Sequence, residues 1–210
     1  MEDVSKKIAG YLLQIKAIKL QPANPFTWAS GWKSPIYCDN RKTLSYPEVR
    51  SFIAESFASR VRELYPDAQY IAGVATGAIA HGMLVADRLG LPFIYVRSGA
   101  KEHGLGNQIE GFYEAGSRVV VIEDLISTGG SSLSAVKALR DAGCEVMGMF
   151  AIFTYGFGKA TSAFEDLNCP LDTLSNYGAL IELALESGYV GERELLTLRQ
   201  WREDPSKWGV

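Results

Sequence analysis

Two kinds of hydrophobic pattern alternate along this chain. Short, mostly apolar runs, which are typical of buried strands, occupy residues 70–75, 93–96, 119–122, 144–153 (broken by Gly148) and 171–174. Around them, apolar residues recur every three or four positions, which predicts one helix that starts near Leu133 and others over residues 4–20, 47–64, 79–89, 181–185 and 195–201. Pro47 suits the first turn of its helix, where no backbone N–H is needed.

The order of these elements predicts an α/β fold. Strands that alternate with helices are joined by right-handed crossovers, which give a parallel sheet covered by helices on both faces. At 210 residues, with 47% hydrophobic and 21% charged residues, the chain suits a single domain over residues 1–210. In such a sheet, ligands bind beyond the carboxyl ends of the strands.

The charge and the cysteine content indicate which partners and which cellular compartment suit this chain. The formal net charge is −3, from 21 basic and 24 acidic residues, so the surface as a whole does not attract nucleic acid or acidic membranes. Three cysteines without Cys-x-x-Cys spacing favour neither a disulfide framework nor a zinc site, and they suit a reducing cytoplasm. The sequence has no signal-peptide pattern and no apolar run near eighteen residues, so we expect neither secretion nor a membrane span.

The segment 119–132, VVVIEDLISTGGSS, carries the clearest chemistry. A predicted strand leads into the acid pair Glu123 and Asp124, then into a turn of glycines and hydroxyl residues that opens a helix. Backbone N–H groups and the positive end of the helix dipole at such a turn bind phosphate, and Gly129 and Gly130 allow close approach. Carboxylates repel phosphate, so the acids must face hydroxyls, such as a ribose diol, or Mg²⁺. The segment predicts a sugar-phosphate site; the alternative is an ordinary strand-to-helix turn.

Residues 97–111 form a polar, glycine-rich segment after the predicted strand at 93–96. The segment contains Arg97, Lys101 and His103 and has no apolar stripe. One interpretation is a solvated surface loop. The other is a lid that brings cations onto a polyanionic ligand and expels water, and the predicted phosphate site favours the lid.

Three stretches, in order, resemble the orotate phosphoribosyltransferases, a family of type I phosphoribosyltransferases. Residues 122–131, IEDLISTGGS, are similar to the phosphoribosyl pyrophosphate loop of the whole superfamily. Residues 26–40, FTWASGWKSPIYCDN, resemble the Ser-Gly-x-x-Ser-Pro signature of the orotate enzymes, and residues 97–104, RSGAKEHG, resemble their catalytic loop. The resemblance implies a parallel sheet flanked by helices, with a small N-terminal hood from about 1–45 and a core over about 46–190.

The same resemblance implies a reaction and an assembly. Orotate and phosphoribosyl pyrophosphate would react, with Mg²⁺, to give orotidine 5′-monophosphate and pyrophosphate, a step of pyrimidine synthesis. Substrate would supply most of the Mg²⁺ ligands, with Asp124 as the one candidate among the side chains. The family implies a homodimer in which the loop 97–111 reaches the partner's site. The alternatives are a purine-base phosphoribosyltransferase and a phosphoribosyl pyrophosphate-sensing regulator that binds nucleic acid.

Residue roles also follow from the resemblance. Glu123 and Asp124 would bind the ribose hydroxyls, and the catalytic residues would be Lys101, His103 and Asp124. The phosphoribosyl pyrophosphate loop would wrap the 5′-phosphate with Leu125, Ile126, Ser127, Thr128, Gly129, Gly130 and Ser131. The pyrophosphate would be met by Arg97, Lys101 and His103. The orotate would be contacted by Ser127, Tyr37 and Cys38.

The chain departs from the family's pattern at several basic positions. Where many orotate enzymes carry lysine or arginine, this chain has Ala29, Thr76, Ser98 and Tyr155. We expect Lys33 or backbone groups to compensate. Of the two histidines, His81 falls on an apolar helix pattern and is predicted to be structural.

Overall fold

The computed structural model describes residues 2–28, 30–99 and 108–208. Its N-terminal segment, residues 2–45, contains one helix, two short antiparallel ribbons and a 3-10 helix: α1 (Glu2–Gln14), β1 (Ile18–Leu20), β2 (Phe26–Thr27), β3 (Lys33–Ser34), β4 (Ile36–Cys38) and the 3-10 helix (Asn40–Ser45). Strand β1 pairs with β4, and β2 pairs with β3.

The rest of the chain alternates helices and strands as the sequence predicts. Its elements are α2 (Pro47–Leu64), β5 (Tyr70–Val74), α3 (Ile79–Leu89), β6 (Phe93–Val96), β7 (Ile109–Glu110), β8 (Arg118–Ile126), α4 (Gly130–Asp141), β9 (Glu145–Thr154), α5 (Gly158–Asp166), β10 (Leu171–Asn176), α6 (Tyr177–Glu186) and α7 (Glu192–Glu203). These strands form one sheet in the order β10-β9-β8-β5-β6-β7. All neighbours are parallel except β6 and β7, which confirms the predicted α/β fold.

Helices cover both faces of the sheet, which explains the unbroken apolar run in β8. Val119 and Val121 pack into a core with α4 and α5. Val120 and Ile122 point the other way and pack into a core that includes α1, α2, α6 and α7. Because both faces are buried here, the successive residues 119–122 are all apolar. In the part of the chain that the structure describes, every helix is too short or too polar to cross a bilayer.

The predicted helix over residues 4–20 was wrong at its end. Helix α1 stops at Gln14, Lys16 adopts a positive φ of 56°, and residues 18–20 form β1. Ile15 and Ile18 have a spacing that suits a helix, but Ile18 instead pairs with Cys38 of β4. Tertiary pairing therefore overrides the local pattern. Helix α5 and the short strands of the N-terminal segment were absent from the prediction, because each is too brief to show a clear period.

Candidate active site

The candidate site lies where the connections of the sheet change direction. From β5 the chain passes through α3 to β6, while β8, on the other side of β5, is followed through α4 by β9. Loops that leave the carboxyl ends of β5 and β8 therefore diverge and leave a crevice. This crevice is a cavity of about 330 Å³, lined by residues 74–77, 123–125 and 127–132.

One wall of the cavity is the turn from β8 into α4. Residues 127–129 form the turn, and Gly129 has a φ of 81°, a left-handed conformation that favours glycine. Helix α4 begins at Gly130, so its first turn borders the cavity. The first four N–H groups of a helix have no acceptor within the helix, and together with the helix dipole they attract anions. This wall is suited to a phosphate.

The two acids of β8 have different surroundings. Glu123 is 4% exposed; its Oε1 accepts from the backbone N–H of Asp124 at 2.9 Å, and its Oε2 accepts from the hydroxyl of Ser132 at 2.8 Å. Burial, and next the charge of Asp124, raise the pKa of Glu123 well above its usual value. Both oxygens of Glu123 thus accept hydrogen bonds from the protein, and the side chain connects the start of α4 to β8.

Asp124 is half-buried, and its carboxylate lies directly over the backbone of Gly77. A Cβ atom at position 77 would overlap that carboxylate, so a glycine is required there for Asp124 to keep its place. The opposing wall, residues 74–77, contains a cis peptide bond between Ala75 and Thr76. Asp124 is the acid of the pair whose position suits a bound ligand.

Cys38, one of the predicted base-contacting residues, is linked to Asp124 through Asn40. Asn40 donates from Nδ2 to the backbone carbonyl of Asp124 at 2.6 Å, and its Oδ1 accepts from the Cys38 thiol at 3.3 Å. Burial, and next the charges of Asp124 and Asp39, raise the pKa of the Cys38 thiol well above its usual value. Strand β4, which carries Tyr37 and Cys38, is therefore joined by hydrogen bonds to the end of β8 that carries the two acids.

Helix α7 closes the other side of this region. Trp201 is fully buried, donates from Nε1 to the carbonyl of Lys33 at 3.2 Å, and packs edge-on against Trp28 and Tyr155 at centroid distances of 5.6 and 5.8 Å. Arg202 donates to the carbonyl of Tyr155 at 3.2 Å and to that of Gly156 at 3.1 Å. The C-terminal helix thus joins the N-terminal segment to the loop after β9.

The structure gathers most of the predicted ribose and phosphate residues around one cavity. Its lining includes Glu123, Asp124, Leu125, Ser127, Thr128, Gly129, Gly130 and Ser131. Ile126 is buried in the sheet, where it pairs with Thr154, because β8 extends beyond the acids. Leu125 and Ile126 are therefore strand residues rather than parts of the turn.

The predicted cations have separate positions. Arg97 follows β6, and its guanidinium lies 3.7 Å from the Glu110 carboxylate. The Lys33 ammonium donates to the Thr27 hydroxyl at 2.9 Å within the β2–β3 ribbon. Lys101 and His103 lie outside the described residues. His81, predicted to be structural, is fully buried in α3 and lies 3.0 Å from the hydroxyl of Thr43.

Sequence reasoning missed several residues of the site, among them Gly77, Ser132 and Asn40. A signal for Gly77 exists, since the glycine lies two residues after the predicted buried strand 70–75, where ligands of such sheets bind. The sequence does not show that β8 lies next to this strand; only the order of the strands in the sheet shows that. Asn40 belongs to the 26–40 signature, but no local pattern shows that its side chain reaches Asp124.

The acids present suit a Mg²⁺ ion that binds mainly to its substrate. Among residues 2–28, 30–99 and 108–208, no group of three or more His, Cys, Asp or Glu side chains is arranged to hold a metal ion. Mg²⁺ that is coordinated through phosphates and water needs only one or two protein carboxylates. Asp124, half-buried at the cavity, fits that role.

Comparison with known proteins agrees with this geometry. The model of the phosphoribosyl transferase domain family matches residues 44–187. An orotate phosphoribosyltransferase of Bacteroides fragilis is 60% identical over 208 residues, 99% of this chain and 98% of the relative, and that of Porphyromonas gingivalis is 58% identical over the full length of both chains.

Solved structures agree as well. The crystal structure of orotate phosphoribosyltransferase from Aeropyrum pernix superimposes with a TM-score of 0.76 at 27% identity, covering 88% of this chain and 99% of that one. Together, the divergent loops of β5 and β8, the paired acids beside the first turn of α4 and these full-length relatives place the chain in the orotate phosphoribosyltransferase family.

Proposed function

We propose that this protein transfers the 5-phosphoribosyl group of phosphoribosyl pyrophosphate to orotate, giving orotidine 5′-monophosphate and pyrophosphate in pyrimidine synthesis. The observation that carries the proposal is the cavity between the β5 and β8 loops. There a carboxylate for a diol, Asp124, lies beside a helix N-terminus for a phosphate. Relatives of about 60% identity over the whole chain support orotate as the base.

The sugar phosphate is held by the turn and the acid. In this proposal Asp124 accepts hydrogen bonds from the ribose hydroxyls, and Glu123 stabilises the position of Asp124 through the Asp124 N–H. The 5′-phosphate is bound by backbone N–H groups of the turn and by the hydroxyls of Ser127, Thr128 and Ser131. A charged acceptor makes a stronger hydrogen bond than a neutral one, which favours the diol at Asp124.

The chemical step needs charge neutralisation more than a nucleophile. The bond between the anomeric carbon and the pyrophosphate oxygen breaks, and a ring nitrogen of orotate forms the new bond to that carbon through an oxocarbenium-like transition state. The proton of that nitrogen passes to the leaving pyrophosphate. Negative charge grows on the leaving pyrophosphate, which Arg97, Lys101 and His103 stabilise. When bound, Mg²⁺ would further neutralise that charge, and Asp124 would be its contact from the protein.

The base is bound on the side of the N-terminal segment. Backbone groups of Tyr37 and Cys38, together with Ser127, contact the orotate ring, and Lys33 supplies a cation for its carboxylate. The hydrogen bonds that link Cys38 through Asn40 to Asp124 support this arrangement, since they bring the base contacts next to the ribose acid.

The assembly is a cytoplasmic homodimer in which residues 97–111 of one protomer complete the site of the other. Phe112, directly after that segment, is 76% exposed, and a large exposed aromatic residue is suited to a protein contact. The three free thiols, Cys38, Cys144 and Cys169, suit a reducing compartment.

The test is orotate absorbance during incubation of the purified protein with phosphoribosyl pyrophosphate and Mg²⁺. We expect orotate to disappear with matching release of pyrophosphate, and the reaction to stop when EDTA removes Mg²⁺. Turnover of adenine or hypoxanthine but not orotate would instead support the purine-base alternative. Retention of nucleic acid in a gel shift without any turnover would support the regulator.

Lys101→Ala tests the proposed lid. The variant should lower kcat by about a hundredfold and leave the affinity for phosphoribosyl pyrophosphate within a fewfold, because the loop engages chiefly in the transition state. Single-turnover rates and equilibrium binding separate the two quantities. A loss of affinity with an unchanged kcat would contradict the lid.

A further inference from the structure

One buried amide side chain connects the two halves of the candidate site. Asn40 is 1% exposed and begins the 3-10 helix that follows β4. Its Nδ2 donates to the backbone carbonyl of Asp124 at 2.6 Å, and its Oδ1 accepts from the Cys38 thiol at 3.3 Å. The amide therefore uses its nitrogen as a donor and its oxygen as an acceptor to join β4, on the base side, to β8, on the ribose side.

The hydrogen bonds around Asp124 show what the Asn40 contact does. The Asp124 N–H is held by the Glu123 carboxylate at 2.9 Å, and its C=O is held by Asn40. With both backbone groups fixed, the side chain leaves the strand in one direction, over Gly77 and into the cavity. Buried backbone groups strongly prefer such partners, so removal of Asn40 would leave the Asp124 carbonyl unsatisfied.

Asn40 is itself held by a second layer of buried groups. Its backbone carbonyl accepts from the hydroxyl of Thr43 at 2.6 Å, and that hydroxyl lies 3.0 Å from Nε2 of His81. The single proton of the Thr43 hydroxyl is used on Asn40, so His81 must donate from Nε2. Burial lowers the pKa of His81 to about 4, which keeps the ring neutral near pH 7.

We propose that Asn40 is a positioning residue for the ribose-binding acid, and that Thr43 and His81 hold Asn40 in place. The inference rests on the proposed function, because it takes Asp124 as the acid that meets the ribose. Asn40 would act through Asp124 alone, by fixing the distance between that carboxylate and the base side of the site. A displacement of about 1 Å in such a group lowers rates by up to about a hundredfold.

A double-mutant cycle tests this proposal. We would measure kcat/KM for phosphoribosyl pyrophosphate in the full-length wild type, Asn40→Ala, Asp124→Asn and the double variant. Asn40→Ala should lower it about tenfold. In the Asp124→Asn background, the same change should lower it less than about threefold, since two residues that act through one group are not additive. Losses that multiply would overturn the proposal.

A matched control separates positioning from stability. Ser175, in β10 and outside the site, is fully buried and donates to the carbonyl of Ser5 at 2.9 Å. Ser175→Ala removes a buried hydrogen bond without touching Asp124, so it should lower the melting temperature but leave kcat/KM within about twofold. If Ser175→Ala reduces kcat/KM as much as Asn40→Ala does, Asn40 has no special role.

Thr43 provides a milder version of the test if Asn40→Ala does not fold. Thr43→Val keeps the shape of the side chain and removes its hydroxyl, so it should lower kcat/KM in the same direction by about threefold, while Thr43→Ser should restore it. Equal kinetics of Thr43→Val and Thr43→Ser would overturn the supporting role. If the wild type binds phosphoribosyl pyrophosphate but does not turn over orotate, the proposed function is refuted. The affinity for phosphoribosyl pyrophosphate, measured by calorimetry in the same four proteins of the cycle, would then still decide the role of Asn40.

Discussion

The ribose-phosphate half of the site and the base half are built from different interactions. The first consists of two loops at the ends of adjacent strands, where backbone geometry at Gly77 and Gly129 sets the shape. The second is assembled from Trp28 and from residues 33–40, 155–156 and 201–202, which are joined by aromatic packing and by side chains that donate to carbonyls. One half depends on the backbone and the other on side-chain packing.

This difference has consequences for substitution. A loop that holds a ligand through backbone groups has little room, so one added carbon there displaces the group that binds. A packed aromatic region can adjust its side chains, and most changes in it cost one hydrogen bond or part of a contact. We therefore expect steep losses in the ribose-phosphate half and graded ones in the base half.

Gly77→Ala should have the largest effect. The new Cβ would overlap the Asp124 carboxylate, which must move, so kcat/KM for phosphoribosyl pyrophosphate should fall about a hundredfold or more. Steady-state kinetics measure the loss, and circular dichroism checks that the fold persists. Gly158→Ala is the matched control, because a Cβ at the start of α5 meets no atom within 4 Å in the described structure. A Gly77→Ala enzyme as active as the control would place the ribose elsewhere.

Substitution of the paired acids should have the next largest effect, and the losses at the two positions should differ. Asp124→Asn removes a charged acceptor worth about 2 kcal/mol, which is about thirtyfold in affinity for phosphoribosyl pyrophosphate. Glu123→Gln should lower that affinity only a fewfold, because burial already raises the pKa of Glu123 and its oxygens face Asp124 N–H and Ser132. Isothermal titration calorimetry measures both. Equal losses would show that Glu123 also contacts the sugar.

The same contrast explains how much of the site could be predicted. The segment 119–132 carries strand, acids, turn and helix start consecutively, so the local pattern was enough to predict the strand and the turn into a helix that border the cavity. The strand 93–96 and the helices 47–64 and 79–89 were also predicted to their ends, because their apolar periods are strong and Pro47 and Gly90 mark their limits.

Contacts between distant segments could not be predicted in this way. Trp201 donates to a carbonyl 168 positions earlier in the chain, and Asn40 to one 84 positions later. Each of these residues looks locally like an ordinary helix or turn residue, since nothing in a neighbouring sequence window indicates the partner. For the same reason β1 was predicted as the end of a helix, although its pairing with β4 makes it a strand.

Trp201→Phe tests whether α7 shapes the base half. The change keeps an aromatic ring against Trp28 and Tyr155 but removes the N–H that donates to Lys33, a loss of about 1 kcal/mol. The KM for orotate should rise about threefold to fivefold, while the KM for phosphoribosyl pyrophosphate stays constant. Leu196→Ala, at a position of α7 that is 58% exposed, is the control and should change neither. A parallel rise in both KM values would mean that α7 supports the whole fold.

Lys33→Ala should have the smallest effect. It tests how this chain binds the orotate carboxylate without the basic residues that many orotate enzymes carry. Lys33 is exposed, and the net free energy of an exposed ion pair is under about 1 kcal/mol, so the KM for orotate should rise about twofold to threefold. The effect should disappear at high salt, because exposed charges are screened. Thr27→Val removes the hydrogen-bond partner of Lys33 but leaves its charge, and it should not raise the KM. An orotate KM that is insensitive to Lys33→Ala at low salt would leave backbone groups as the means by which the carboxylate is bound.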